Sequence, residues 1–332
     1  MQSVICPALS FVVIGLNEAA RLKQSLQAVI SNSPAGLGIE VAYVDSGSRD
    51  NSVEIAQGVQ GVAVYHLDSQ SPSAAKARNK GLRVAKGKYV QLVDGDSVIQ
   101  PGWVEAALKL LEQSPEVACV FGQCVEMFPE HSIYMKVCGL DWHIPAGDHR
   151  FCGGNAMWRM TAIAGEGYFD EDLRLGEEPD LCYRIRQQGG RIVCLSIPMV
   201  KHDLDILRFG QYWKRGENSG AAYLRVAARY WRNPEKLWMR ETIRNFVEPL
   251  VWAAVLVSGW WLVMLPLAIM LLLGWWLARA LSVARRVRGR TANWEDGLIY
   301  GVHTQFMRIP IAIGQFKELL RLFRTRNNPK KA

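Results

Sequence analysis

Two carboxylates separated by one glycine, Asp94-Gly95-Asp96, stand directly after the apolar run Tyr89 to Val93. In extended backbone, side chains at i and i+2 point the same way, so both carboxylates reach one point and the glycine lets a ligand come close. Oxygen donors of this kind suit magnesium or manganese. Such ions are usually held by one or two carboxylates together with substrate phosphates, so the pair implies a diphosphate as much as a metal. A second acidic group, Glu177-Glu178, precedes Pro179-Asp180 at the entrance of an expected helix. The positive end of a helix dipole holds a carboxylate ionised, which a general base at neutral pH requires. Each group has a plainer reading, a solvated turn for the first and an electrostatic helix cap for the second. The buried strand ahead of Asp94 weighs against the turn.

Positioning these groups falls to an α/β alternation over the first hundred residues. Strands are expected at 10–15, 40–44, 62–66 and 88–93, with helices at 18–30, 50–57 and 74–85. Open parallel sheets gather ligands at the carboxyl ends of their strands, where Asn17, Asp45 and Asp94 all fall. A further strand is expected at 117–125, while 127–150 shows no clear period. A helix over 179–188 follows from Pro179 at its first position, Asp180 and Arg184 one turn apart, and Gly189 as the stop.

Blocks of sequence in the right order make the chain resemble a family 2 glycosyltransferase of bacterial membrane-associated type over roughly its first 205 residues. They begin with Val12-Val13-Ile14-Gly15-Leu16-Asn17-Glu18, with Leu22 and Leu26 beyond, although Gly15 stands where proline is frequent. Val44-Asp45-Ser46-Gly47-Ser48-Arg49-Asp50 follows, then Ala77-Arg78-Asn79-Lys80-Gly81 leading into the Asp94-Gly95-Asp96 strand. Gly153-Gly154-Asn155, Gly167-Tyr168-Phe169-Asp170-Glu171 and Gly176-Glu177-Glu178-Pro179-Asp180 are similar to the acceptor-side half of the same fold. The resemblance implies the GT-A fold, a Rossmann-like, mostly parallel sheet, and inverting transfer from a nucleoside-diphosphate sugar of UDP or GDP type. It implies that Asp45 contacts the base and that the donor is bound by Asn17, Glu18, Asn79, Asp94, Gly154 and Asn155, with Lys76 and Arg78 meeting phosphate or base. It further implies Asp94, Asp96 and His202 as metal or diphosphate ligands, and Glu178 as the base. A glutamate there departs from the usual Glu-Asp pair, so Glu177 and Asp180 stay open. Two rivals are a sugar-nucleotide pyrophosphorylase and an inactive membrane scaffold. The first should carry a glycine-rich phosphate loop after its first strand, which Gly15-Leu16-Asn17-Glu18 is not; retention of the acidic set speaks against the second.

The formal net charge of +8 is concentrated after residue 200, on both sides of a stretch from Pro249 to Ala278 that carries no charge. That stretch is roughly thirty residues long, where about twenty would cross a bilayer. Pro266, the Ser258-Gly259 pair and terminal tryptophans allow a hairpin of two short helices or one tilted span. Basic flanks on both sides favour a hairpin that returns to the cytosolic face, with membrane lipids rather than nucleic acid as the anionic partner. Residues 309, 313, 316, 320 and 323 form an apolar stripe flanked by Lys317, Arg321 and Arg324, as in an interfacial helix. Gln211-Tyr212-Trp213-Lys214-Arg215 only partly resembles the QxxRW element of processive synthases, so one sugar per encounter is expected. The start of the chain shows no signal-peptide pattern. Seven cysteines without a CxxC pair point to reduced thiols. The expected organisation is a transferase domain at 1–210, a basic amphipathic linker at 211–245, a transmembrane or re-entrant hairpin at 246–281 and basic interfacial helices at 282–332. The expected location is the cell inner membrane with the catalytic domain cytoplasmic, and the acceptor a lipid-linked or envelope polysaccharide.

Overall fold

The computed structural model describes residues 8–291 and 293–327. Cys6 and the reading of the first residues as lacking a signal peptide fall partly or wholly outside that range. The chain divides into two compact units, residues 1–127 with 142–204, and residues 128–141 with 205–332. The second includes 128–141, part of the aperiodic stretch that the sequence places in the 1–210 domain.

The first unit opens with β1 (Leu9–Gly15), α1 (Leu22–Ser31), β2 (Ile39–Asp45), α2 (Ser52–Gln57), β3 (Val62–His66), α3 (Ala74–Val84) and β4 (Tyr89–Asp94). Every residue of β1 is buried, as expected of a central strand covered on both faces. Parallel pairing gives the order β3-β2-β1-β4. Helix α1 starts at Leu22, four residues later than the apolar period suggests. Glu18 instead closes a turn whose carbonyl accepts from Arg21 and Leu22.

Then come β5 (Ser97–Ile99), α4 (Trp103–Gln113), β6 (Val117–Glu126), α5 (Ile133–Leu140) of the second unit, β7 (Gly147–His149), β8 (Ala156–Arg159), α6 (Met160–Gly165), α7 (Glu177–Gln187) and β9 (Arg191–His202). The sheet is mixed. It runs parallel through β1–β4 and between β6 and β9, and antiparallel where β8, β5 and β7 join. Helix α7 begins two residues before the position expected from Pro179, because Gly176 adopts φ 88° and turns the chain into the helix there. Pro179 is thus the third helical residue, and Glu177 and Glu178 are the first two.

In the second unit α8 (Phe209–Tyr230) precedes α9 (Met239–Trp261), α10 (Leu265–Val287), α11 (Trp294–Phe306) and α12 (Arg308–Asn327). Ion pairs Arg225–Glu318 at 2.5 Å and Lys317–Glu217 at 2.6 Å join α8 to α12. Helices α9 and α10 form a hairpin in which Trp252 lies edge-on to Trp276, with ring centroids 4.9 Å apart. By length and composition α10 could cross a membrane. The hairpin tip, Trp260 to Met264, is among the most exposed apolar sequence described, with Val263 90% exposed.

Candidate active site

The carboxyl ends of β1, β2 and β4 open onto a cleft of about 260 Å³ lined by Leu16, Glu18, Ser46, Asp94, Asp96 and His202 among others. Antiparallel pairing of β5 with the end of β9 sets Ser97 opposite His202. That register brings His202 Nε2 to 3.3 Å from Asp96 Oδ1, an oxygen that is buried and makes no hydrogen bond. The Trp142 ring meets His202 edge-on at 5.0 Å.

Burial, followed by repulsion from Asp94, pushes Asp96 up to about 7. Burial also pushes Glu18 up to about 7, with Asp96 and Asp94 adding to it. Carboxylates crowded this closely are relieved by a cation. Carboxylate oxygens with one imidazole, including an oxygen that no donor satisfies, fit manganese or magnesium. Asp96 and His202 stand 3.3 Å apart, with Asp94 near enough to raise Asp96 and Glu18 near enough to be raised by both.

Asp94 is fixed from several sides. Its backbone N–H donates to Asn155 Oδ1 at 3.0 Å, Asn155 Nδ2 donates to its Oδ2 at 3.2 Å, and Arg78 Nη2 donates to its Oδ1 at 3.0 Å. Gly154 permits this approach, since a Cβ there would lie 2.2 Å from Arg78 Nη2. Asn155 and Gly154, expected to touch the donor, thus hold Asp94 in place.

Arg78 is the hub of the site. Its side chain is 4% exposed, and Nη1 donates to Glu178 Oε1 at 2.9 Å and to Glu177 Oε1 at 3.2 Å. Burial alone would lower its pKa, but Glu178, Asp94 and Glu177 together raise it, so it stays charged. With three carboxylates already on it, Arg78 links Asp94 to the α7 acids rather than standing free for phosphate. Exchanging Arg78 for methionine should leave buried carboxylates uncompensated and cost about 3–5 kcal/mol, read as a lower urea midpoint.

The two glutamates differ. Burial, reinforced by Glu178, pushes Glu177 up to about 8 in spite of Arg78, a shift toward its neutral form. Glu178 is the more open, at 17% side-chain exposure against 7%. Asp180 is fully buried and pairs with Arg184 Nε at 3.0 Å, a structural ion pair inside the helix.

Other expected site residues make contacts within the protein. Asn79 Nδ2 donates to the Phe169 carbonyl and to Glu171, and its Oδ1 accepts from the Phe169 N–H. Lys76 Nζ donates to Ser69 and Ser71. Asn17, at φ 60°, accepts from the Arg49 N–H and so pins the turn after β2. Asp45 is 2% exposed and accepts from the N–H groups of Gly47 and Ser48 within that turn. Sequence reasoning missed the Arg21–Asp203 ion pair of 2.5 Å beside His202; the adjacency of Asp203 to His202 was the one available signal.

Comparison with known proteins bears on the same residues. The sequence model of glycosyl transferase family 2 matches residues 10–138. The chain is 28% identical over 182 residues to the pre-mycofactocin glycosyltransferase of Mycobacterium tuberculosis, across 50% of this chain and 38% of that protein. It is 25% identical over 177 residues to the glucosyl-dolichyl phosphate glucuronosyltransferase of Haloferax volcanii, across 46% of this chain and 56% of that protein. The matches thus span less than two thirds of either relative. In fold the chain is similar to the mannosyltransferase PcManGT of Pyrobaculum calidifontis, solved in complex with GDP-Man and Mn2+. The TM-score is 0.64 at 19% identity, over 93% of this chain and 87% of that one.

Proposed function

The chain is a family 2 glycosyltransferase with the GT-A fold, and from that premise we propose that it moves one sugar from a UDP- or GDP-sugar, with inversion, to a hydroxyl of a lipid-linked or envelope-polysaccharide acceptor at the cytosolic membrane face. The observation that carries the proposal is Arg78, which bonds both to Asp94 of the Asp94-Gly95-Asp96 cleft and to Glu178 at the start of α7. Donor-side and acceptor-side acids are thereby held on one guanidinium.

In this reading Glu178, held in place by Arg78, accepts the proton of the acceptor hydroxyl. The acceptor oxygen bonds to the anomeric carbon as the bond from that carbon to the diphosphate oxygen breaks, and the nucleoside diphosphate leaves. Asp94, Asp96 and His202 would hold a divalent ion, which would supply charge neutralisation at the leaving diphosphate. Asn155 and Arg78 keep Asp94 in place, while Asp45 and the turn pinned by Asn17 receive the base. Support for a metal comes from the crowded carboxylates, and from the Mn2+ and GDP-Man named for the similar mannosyltransferase. The family match over residues 10–138 favours transfer over the pyrophosphorylase and scaffold alternatives. A panel of nucleotide sugars, screened by thermal shift with and without manganese, tests the donor class. A shift with no nucleoside diphosphate or its sugars would reject it.

The same cleft sets a pH dependence. Asp96 and Glu18 both titrate near 7 when folded, against ordinary values of 3.8 and 4.5. A carboxyl whose folded pKa is raised favours the fold while protonated, so metal-free stability from these groups falls as pH rises from about 4 through 7. Manganese needs the deprotonated form. The manganese-induced rise in Tm should therefore be small at pH 6 and grow by pH 8; an equal rise at both would separate these carboxyls from the metal.

Membrane attachment rests on the α9–α10 hairpin. Helix α10 as a whole is long enough to cross a membrane, but the uncharged part of each arm, Pro249 to Trp261 and Leu265 to Ala278, is about 20 Å long, short of a hydrocarbon core of about 30 Å. Such a hairpin enters from one face and returns to it, leaving the basic flanks on one side. Replacing Trp260 and Trp261 at the tip with aspartate should move most of the protein from the membrane fraction to the soluble fraction after a salt wash; unchanged retention would refute the anchor.

A further inference from the structure

A second group of ligating side chains lies wholly within the helical unit and takes no part in the chemistry above. Cys138 belongs to α5, Asp141 is that helix's C-cap, and His303 comes from α11. One sulfur, one carboxylate oxygen and one ring nitrogen lie within 4.8 Å of one another. Cys138 and His303 are buried while Asp141 is exposed, so the group has a route from solvent. His303 Nε2 lies 3.3 Å from Asp141 Oδ2, and its Nδ1 lies 2.7 Å from the Tyr212 hydroxyl. The Tyr300 hydroxyl donates to the other oxygen of Asp141 at 2.9 Å.

We propose that Cys138, Asp141 and His303 form a zinc site with a fourth position open to water. The donor set decides the metal: thiolate with imidazole and carboxylate suits zinc, whereas the oxygen-rich cleft at Asp94 and Asp96 suits manganese or magnesium. Tyr212 and Tyr300 supply the outer hydrogen bonds that orient a ligating imidazole and carboxylate. On binding, His303 coordinates zinc through the Nε2 lone pair with its single ring proton on Nδ1, from which it donates to the Tyr212 oxygen; only the thiol proton of Cys138 passes to solvent, and no oxidation state changes. The ion would fasten α5 to α11, joining residues 162 positions apart.

The test uses the full-length protein in detergent, incubated with zinc or cobalt, desalted and assayed for bound metal. Wild type and Asp96→Ala should each retain about one zinc per chain, whereas Cys138→Ser should not. Tyr212→Phe should weaken zinc affinity about 10–100-fold. With cobalt in place of zinc, wild type should show a thiolate-to-cobalt charge-transfer band in the near ultraviolet that is absent from Cys138→Ser. A wild-type protein that retains no zinc and shows no such band overturns the assignment, whatever the variants do. So does a band that persists in Cys138→Ser, or retention that disappears with Asp96→Ala.

Discussion

Replacing Asp96 with alanine is expected to lower kcat about a thousandfold, the scale on which loss of one preorganised electrostatic group acts on a developing charge. Asp96 stands between Asp94 and His202 at the end of the cleft, its Oδ1 buried without a hydrogen bond. A group in that condition costs stability unless a ligand occupies it. The same substitution removes a carboxylate that burial and Asp94 push up to about 7, so it should raise the Tm of the metal-free protein at pH 8 rather than lower it. Kinetic assay and melting curve together separate this reading from a structural one. A variant that is both inactive and less stable would make Asp96 a scaffold residue, and a fully active variant would remove the metal assignment.

A second large effect separates two neighbouring acids. Glu178→Gln should reduce kcat by about 10²–10⁴, the usual contribution of a general base, with little change in donor affinity. Glu177→Gln should leave kcat within about tenfold, because burial favours the neutral form of that carboxyl and glutamine is close to its isostere. Both side chains share Arg78 Nη1, so a merely structural role would give the two variants similar losses. Equal loss in both, or a larger loss at Glu177, would move the base away from Glu178.

The parallel half of the fold was legible because each strand is an apolar run of strand length that ends in a turn signal. The strand of 62–66 matches residue for residue, and those around Asp45 and Asp94 match to within one position. Helix starts were less legible. Glu18 lies in a turn before α1, and the left-handed Gly176 begins α7 ahead of Pro179, since a backbone dihedral outweighed the preference of proline for the first helical position. The acids themselves could be named from motif and order, but their coupling could not. Arg78 meets Glu178 across 100 positions, and Asn155 meets Asp94 across 61. No period or spacing encodes contacts made by the sheet as a whole. Asn79 likewise bonds the Phe169 carbonyl and Glu171 across about ninety positions, contacts that its family-like block does not announce. The aperiodic stretch 127–150 hid both Trp142 beside His202 and the α5 segment that groups with the C-terminal helices.

The proposed transfer requires a nucleoside diphosphate bound through a divalent ion at Asp94 and Asp96. Calorimetric titration of UDP and GDP into the wild-type protein and Asp96→Ala, each with and without manganese at pH 8, tests it most directly. At least one of the two nucleotides should bind wild type only when manganese is present, and Asp96→Ala should bind neither measurably under the same conditions. Binding of equal strength without manganese, retained in Asp96→Ala, would contradict it.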